Sequence, residues 1–257
     1  MQESQTYALV LALLFAVTAG LVGCFALMKR MLLASDVISH LALPGLGIAF
    51  LLKFNPLAGG AATLLLGTLL IWRLQRKTGL ATEAMIGVVF AAAVAIGAAV
   101  TPKEDLVEAL FGSFQKLSLM GFFLGVAASG VVAFFIFQLK DQLVLSLFSR
   151  EVAASTGVNV SRLDLYFLLL FSLVVLVGLR YMGALLTSAL IIMPAAIARQ
   201  LTDRVASFLV VSSAASVASV LIGYLFSTMV WKAATPGPAI VIASAIMFAL
   251  SLAKRPA

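Results

Sequence analysis

One stretch of the chain sets two ionisable side chains in an otherwise apolar run: Ser35-Asp36-Val37-Ile38-Ser39-His40-Leu41-Ala42-Leu43-Pro44-Gly45. Asp36 and His40 are four residues apart, so on a helix both project from one face. His40 is the only histidine among the 257 residues. A carboxylate oxygen and an imidazole nitrogen at this spacing make a half-site for a borderline divalent cation such as zinc, and an acceptable one for manganese. Two ligands from one chain do not close a coordination sphere, whereas a two-fold pair of chains would bring two Asp and two His together. Incomplete coordination suits an ion that has to leave again. Proton handling is the alternative chemistry. Two structural roles compete with both. Asp36 can cap the helix start or complement its dipole, and His40 can be a core residue bonded to Asp36.

Other motifs carry less chemistry. No GxxxxGK[ST] phosphate loop is present, so the chain itself is not expected to hydrolyse ATP, and neither HExxH nor GxSxG occurs. Cys24 is the single cysteine, which rules out an internal disulfide and a thiol metal cluster. The nine methionines read as packing. Gly121-Phe122-Phe123-Leu124-Gly125 is a GxxxG, read as a close-packing device. Pro44 and Pro194 lie inside apolar runs and are expected to kink or break their helices, a feature of transporter binding paths.

The elements that position these residues follow from composition. The chain is 63% hydrophobic and only 11% charged, with a mean hydropathy of +1.17. A soluble domain is about 45–50% apolar and about 25% charged, so soluble enzymes and nucleic-acid-binding domains are excluded and no nucleic-acid partner is expected. The net charge of +7 reflects basic cytoplasmic loops. Apolar runs cover 7–28, 34–52, 56–73, 83–100, 119–138, 163–180, 182–199, 205–230 and 238–253. The sixth and seventh are short, with a possible kink at 181–183. The fold class is therefore all-α, a polytopic membrane bundle of eight or nine transmembrane helices forming a single domain over 1–257. The first run lacks the positive flank of a leader and reads as a permanent span.

Alternate connections hold twelve and five of the 17 basic residues. The richer set, from Lys29 and Arg30 to Lys254 and Arg255, marks the cytoplasmic side, which puts the N-terminus outside and the C-terminus inside. Glu104, Asp105 and Glu108 then lie outside, in a long connection with apolar residues at helical spacing. They read as a solvated face, or as acids that concentrate cations at an outer mouth. The inner connection, 140–162, holds apolar residues at helical steps over 147–156 with Gly157 as C-cap, a short cytoplasmic amphipathic helix. Its apolar side needs lipid headgroups or a partner protein to cover it.

Taken together, these residues resemble the membrane permeases of ABC transporters that import zinc, manganese or iron. Three stretches carry the resemblance. The first is Lys29-Arg30-Met31 through Asp36, His40 and Gly45. The second is Arg150-Glu151-Val152-Ala153-Ala154-Ser155-Thr156-Gly157-Val158, similar to the family's cytoplasmic coupling segment, leading into the Met182–Arg199 run around Pro194. The third is Thr235-Pro236-Gly237-Pro238-Ala239-Ile240-Val241. Leu110-Phe111-Gly112-Ser113 is a weaker fourth, and Ser35 stands where many members have glycine.

The resemblance implies a multi-pass protein of the cell membrane, not itself an enzyme, that binds no cofactor and transports Zn, Mn or Fe. Its partners would be a second permease copy, two cytoplasmic ATPase subunits that bind ATP, an extracellular metal-binding protein and membrane lipid. Asp36 and His40 would line the ion path. Arg150, Glu151, Val152, Ala153, Thr156 and Gly157 would dock on the ATPase and transmit its closure. The alternative from a different class is a stand-alone proton-coupled secondary transporter. Against it, the sequence shows no inverted repeat and no second buried acid for a relay. An intramembrane enzyme lacks a second catalytic group.

Overall fold

The computed structural model describes residues 2–100, 119–229 and 236–253. The acids Glu104, Asp105 and Glu108, and the Leu110–Ser113 motif, lie outside the described residues. Among the described residues there are helices and no strands. Eight helical stretches are long and apolar enough to cross a membrane, and Pro236–Leu252 is a further apolar helix of 17 residues.

Helix α1 spans Gln2–Met28. The second span is interrupted: α2 covers Ala34–Ser39, a 3-10 turn covers His40–Ala42, and α3 covers Leu43–Leu52. Then follow α4 (Pro56–Thr78), α5 (Thr82–Val100), α6 (Leu119–Phe148) and α7 (Arg150–Ser155). The last four are α8 (Val160–Tyr181), α9 (Ala184–Leu201), α10 (Val205–Met229) and α11 (Pro236–Leu252).

Local sequence sets the ends. Asn55 caps α4, its side chain accepting from the Leu57 amide at 3.0 Å, with Pro56 in the first turn. Gly79 closes the same helix with φ +70. Between α8 and α9, Gly183 turns the chain at φ +83, so the break at 181–183 separates two helices.

Packing makes two groups. Helix α1 runs through the larger one, against α6, α8, α9 and α10, with α11 on α9 and α10. The smaller group is α3, α4 and α5, and α4 also packs on α8. Helix α2 bridges the two, touching α5, α8 and α9. Apolar burial drives little of this in a lipid solvent, so small residues and polar contacts must hold the helices together. Ser212 Oγ donates to the Gly20 carbonyl at 2.9 Å, joining α10 to α1, and the Thr68 and Ser172 hydroxyls meet at 2.6 Å between α4 and α8. Gly125 of the GxxxG is buried against Leu11 of α1, as the packing reading expects. Large apolar side chains such as Leu66, Phe123 and Val210 point outward, as a lipid-facing surface requires.

Candidate functional site

Asp36 lies in the first turn of α2 and His40 begins the 3-10 turn. The cause of the interruption is Pro44. In a continuous α-helix the amide of residue 44 would donate to the His40 carbonyl, and proline has no N–H to give. The Leu43 amide takes that carbonyl instead, one residue early, which is a 3-10 bond. Pro44 therefore breaks its span, as its position suggests, and it does so at His40.

The helix starts at Ala34 because residues 30–33 form a turn in which Arg30 has φ 58. Counted from Arg30 the rise would put His40 about 15 Å into the span. Counted from Ala34 it is about 9 Å, roughly one helical turn on the basic side of the span's centre.

Both side chains are partly exposed. Among the described residues, neither makes a side-chain hydrogen bond or ion pair, and they do not bond each other. The helix start at Leu33 has no side-chain cap, so Asp36 does not serve as one. It can still favour the helix dipole from the first turn. The His40 ring instead leans on Phe90 of α5, with ring centroids 5.7 Å apart. Among the described residues no cluster of three His, Cys, Asp or Glu could hold a metal ion. Among the described residues, this span of one chain offers a carboxylate and an imidazole one helical turn apart.

Pro194 behaves differently: it is buried inside α9, which runs unbroken from Ala184 to Leu201. Near it α1 approaches closely, since a Cβ on Gly23 would lie 2.1 Å from the Ile191 carbonyl oxygen.

The expected surface helix over 147–156 is shorter and begins later. Helix α6 continues through Phe148, and Ser149, extended at φ −154 and ψ 118, separates it from α7. The Ser149 hydroxyl accepts from the Val152 amide at 3.2 Å, an N-cap. Gly157 ends the element at φ +84: its amide bonds the Ala154 carbonyl and the Val158 amide bonds the Ala153 carbonyl. That pair of bonds is a Schellman motif, in which Thr156 is the C-cap and Gly157, where the sequence suggests the helix ends, is the left-handed residue just after it. Ala153 is fully buried against the bundle. Arg150, Glu151 and Thr156 are exposed. Phe148 (83% exposed), which ends α6, and Val152 (49%), on α7, are uncovered apolar side chains at this basic end.

Sequence reasoning missed Asp164. It sits near the start of α8, 9% exposed. Its Oδ1 accepts from Lys29 Nζ at 2.6 Å, and its Oδ2 accepts from the Arg150 guanidinium. The Lys29 ammonium also lies over the Phe167 ring, 5.2 Å from the centroid. An acid just inside an apolar run was the available signal, but at a span end it reads as solvated.

A lipid-facing bundle of membrane-length helices, with a broken span bearing an acid and a histidine and a capped surface helix, defines a multi-pass membrane protein. The chain matches the family described as ABC 3 transport family over residues 1–255. It is 29% identical to the manganese import system permease protein ScaB of Streptococcus gordonii, covering 97% of this chain and 90% of that one. It is 30% identical to the manganese transport system membrane protein MntC of Halalkalibacterium halodurans, over 97% and 86% of the two chains. The high-affinity zinc uptake system membrane protein ZnuB of Haemophilus influenzae is 27% identical, over 96% of each. The solved structure of PsaBC from Streptococcus pneumoniae in complex with Fab has a TM-score of 0.81 at 25% identity, covering 98% of this chain and 91% of that one. The chain belongs to the ABC 3 transport family.

Proposed function

We propose that this chain is the membrane-spanning permease of an ATP-driven importer of a divalent transition metal, manganese or zinc. The observation that carries the reading is the end-to-end match to relatives named for manganese and zinc transport. ATP hydrolysis belongs to separate subunits, consistent with the lack of a phosphate loop in this chain.

Two permease copies pair in this reading, because Asp36 and His40 are half of a four-ligand set and no cluster of three ligands occurs among the described residues of one chain. Borderline N/O ligands fit manganese and zinc, and iron is a further candidate from the donor set alone. The 3-10 turn ahead of Pro44 interrupts the regular helix at the height of His40, where an ion would pass. Helix α7 is the ATPase-docking element: it is pinned at both ends, presents Val152 outward beyond the exposed Phe148 that ends α6, and stands at the basic end that the loop charges assign to the cytoplasm. An extracellular metal-binding protein delivers the ion, and the acids Glu104, Asp105 and Glu108 raise the local cation concentration at the outer mouth. The N-terminus is outside, the C-terminus is inside, and residues 1–257 act as one domain.

The test is purification of the tagged chain in gentle detergent from its native host, then reconstitution. A stoichiometric ATPase whose turnover in liposomes rises with manganese or zinc is the expected result. A chain that emerges alone and moves metal on a proton gradient would instead be a secondary transporter. Val152→Asp should abolish uptake while leaving the chain folded and inserted, and retained uptake would remove the docking role from α7.

A further inference from the structure

We infer that Asp164 is a positioning residue that couples movement of α7 to the span bearing Asp36 and His40; the inference rests on the ATPase-docking role proposed above. Among the described residues, the only hydrogen bond leaving α7 for another helix is the one from Arg150 to Asp164. Little else holds that flank. A cavity of about 350 Å³ opens there, bounded by Trp72, Gln75, Arg76, Arg150, Ala154 and Asp164.

The other oxygen of the same carboxylate grips Lys29, the residue that follows α1. Beyond Lys29 the chain runs through Arg30, in the left-handed region at φ 58, and reaches α2 at Ala34. Non-glycine residues hold that conformation only when their surroundings impose it, and such strain collects at switching segments. One buried carboxylate thus joins the surface helix to the strained turn from which the metal-path span departs.

The two arms differ in strength. The Lys29 side chain is 13% exposed and that of Arg150 is 64% exposed. Solvent weakens an exposed ion pair, while a buried carboxylate cannot readily lose its last cation. The Lys29 arm therefore persists, and the Arg150 arm is the one that gives or tightens as α7 moves. A reversible contact on the moving helix and a permanent one on the responding turn is the arrangement transmission needs.

The experiment uses the reconstituted permease–ATPase complex and reads manganese or zinc delivered per ATP hydrolysed. Asp164→Asn and Arg150→Gln should each lower that ratio by about tenfold, within the range usual for coupled sites, and Asp164→Glu should restore most of it. If Asp164 is only a staple, Asp164→Asn will melt earlier while the surviving complexes keep the wild-type ratio, which overturns the inference. Should Asp164→Asn fail to assemble, Arg150→Gln decides among complexes that keep the wild-type ATPase stoichiometry, which sets aside any loss of docking by Arg150 itself: a lowered ratio there supports the inference and an unchanged one overturns it. A wild-type chain that purifies without an ATPase overturns the docking reading and this inference together, so the two failures are distinguishable.

Discussion

His40 and Phe90 bring their rings to 5.7 Å across the interface between the broken span and α5, while Asp36, one turn away, leaves the imidazole unbonded. The aromatic contact holds one side of the ring and leaves its nitrogens uncommitted. Two substitutions separate packing from ligation. His40→Phe keeps a ring against Phe90 and removes both nitrogens, and His40→Ala removes everything. Both should lower metal uptake by roughly 10- to 100-fold or more at normal membrane abundance, because even outer-shell partners of metal ligands act on that scale. Wild-type uptake by His40→Phe would make His40 a packing residue.

Pro44→Ala gives residue 44 an amide that can reach the His40 carbonyl and lets the second span run as one α-helix. Local helix stability should rise, since proline is the least favourable helix residue. Uptake should nevertheless fall if the 3-10 turn lines the path. A melting temperature at or above wild type together with reduced uptake is the expected pair of results. Unchanged uptake would mean that the break is a packing accommodation.

Much of this was readable without coordinates because the bilayer imposes it. Apolar length locates the spans, and Gly157 marks the end of the surface helix, since cap chemistry is local. Three features were not readable. Helix α6 extends past residue 138 to Phe148, because Leu139, Lys140 and Gln142 are good helix formers and carry it beyond the apolar run. The depth of His40 depends on where α2 begins, and a left-handed Arg30 fixes that. Asp164 acquires its meaning only when Lys29 and Arg150, 135 and 14 residues away, are folded onto it.

Gly157 offers a test of the surface helix that leaves the bundle alone. A Cβ there would meet nothing within 4 Å, so Gly157→Ala introduces no clash. It does place an L-residue at φ +84, which costs about 1–2 kcal/mol. The last turn of α7 should fray while the spans stay intact. Retention of the ATPase during purification should drop, with no change in the permease's own melting temperature. A permease that melts earlier would show instead that the Schellman turn supports the bundle.

Gly45 and Gly59 bring α3 and α4 into backbone contact: a Cβ on Gly45 would lie 2.0 Å from the Gly59 carbonyl oxygen, and one on Gly59 would lie 2.3 Å from the Gly45 carbonyl oxygen. Neither obstacle is a flexible side chain, so the helices themselves must separate. Gly45→Val should therefore destabilise the permease by at least the roughly 1–3 kcal/mol typical of overpacking and reduce its monodisperse yield. Gly130 of α6 is the control, because a Cβ there meets nothing within 4 Å. Gly130→Ala should be neutral, or stabilising by about 0.5–1 kcal/mol from helix propensity alone. Thermal melts of both variants in the same detergent separate the cases. Equal stability would show that α3 and α4 are not held by this contact, and the break at His40 would then need a support other than the α3–α4 pair.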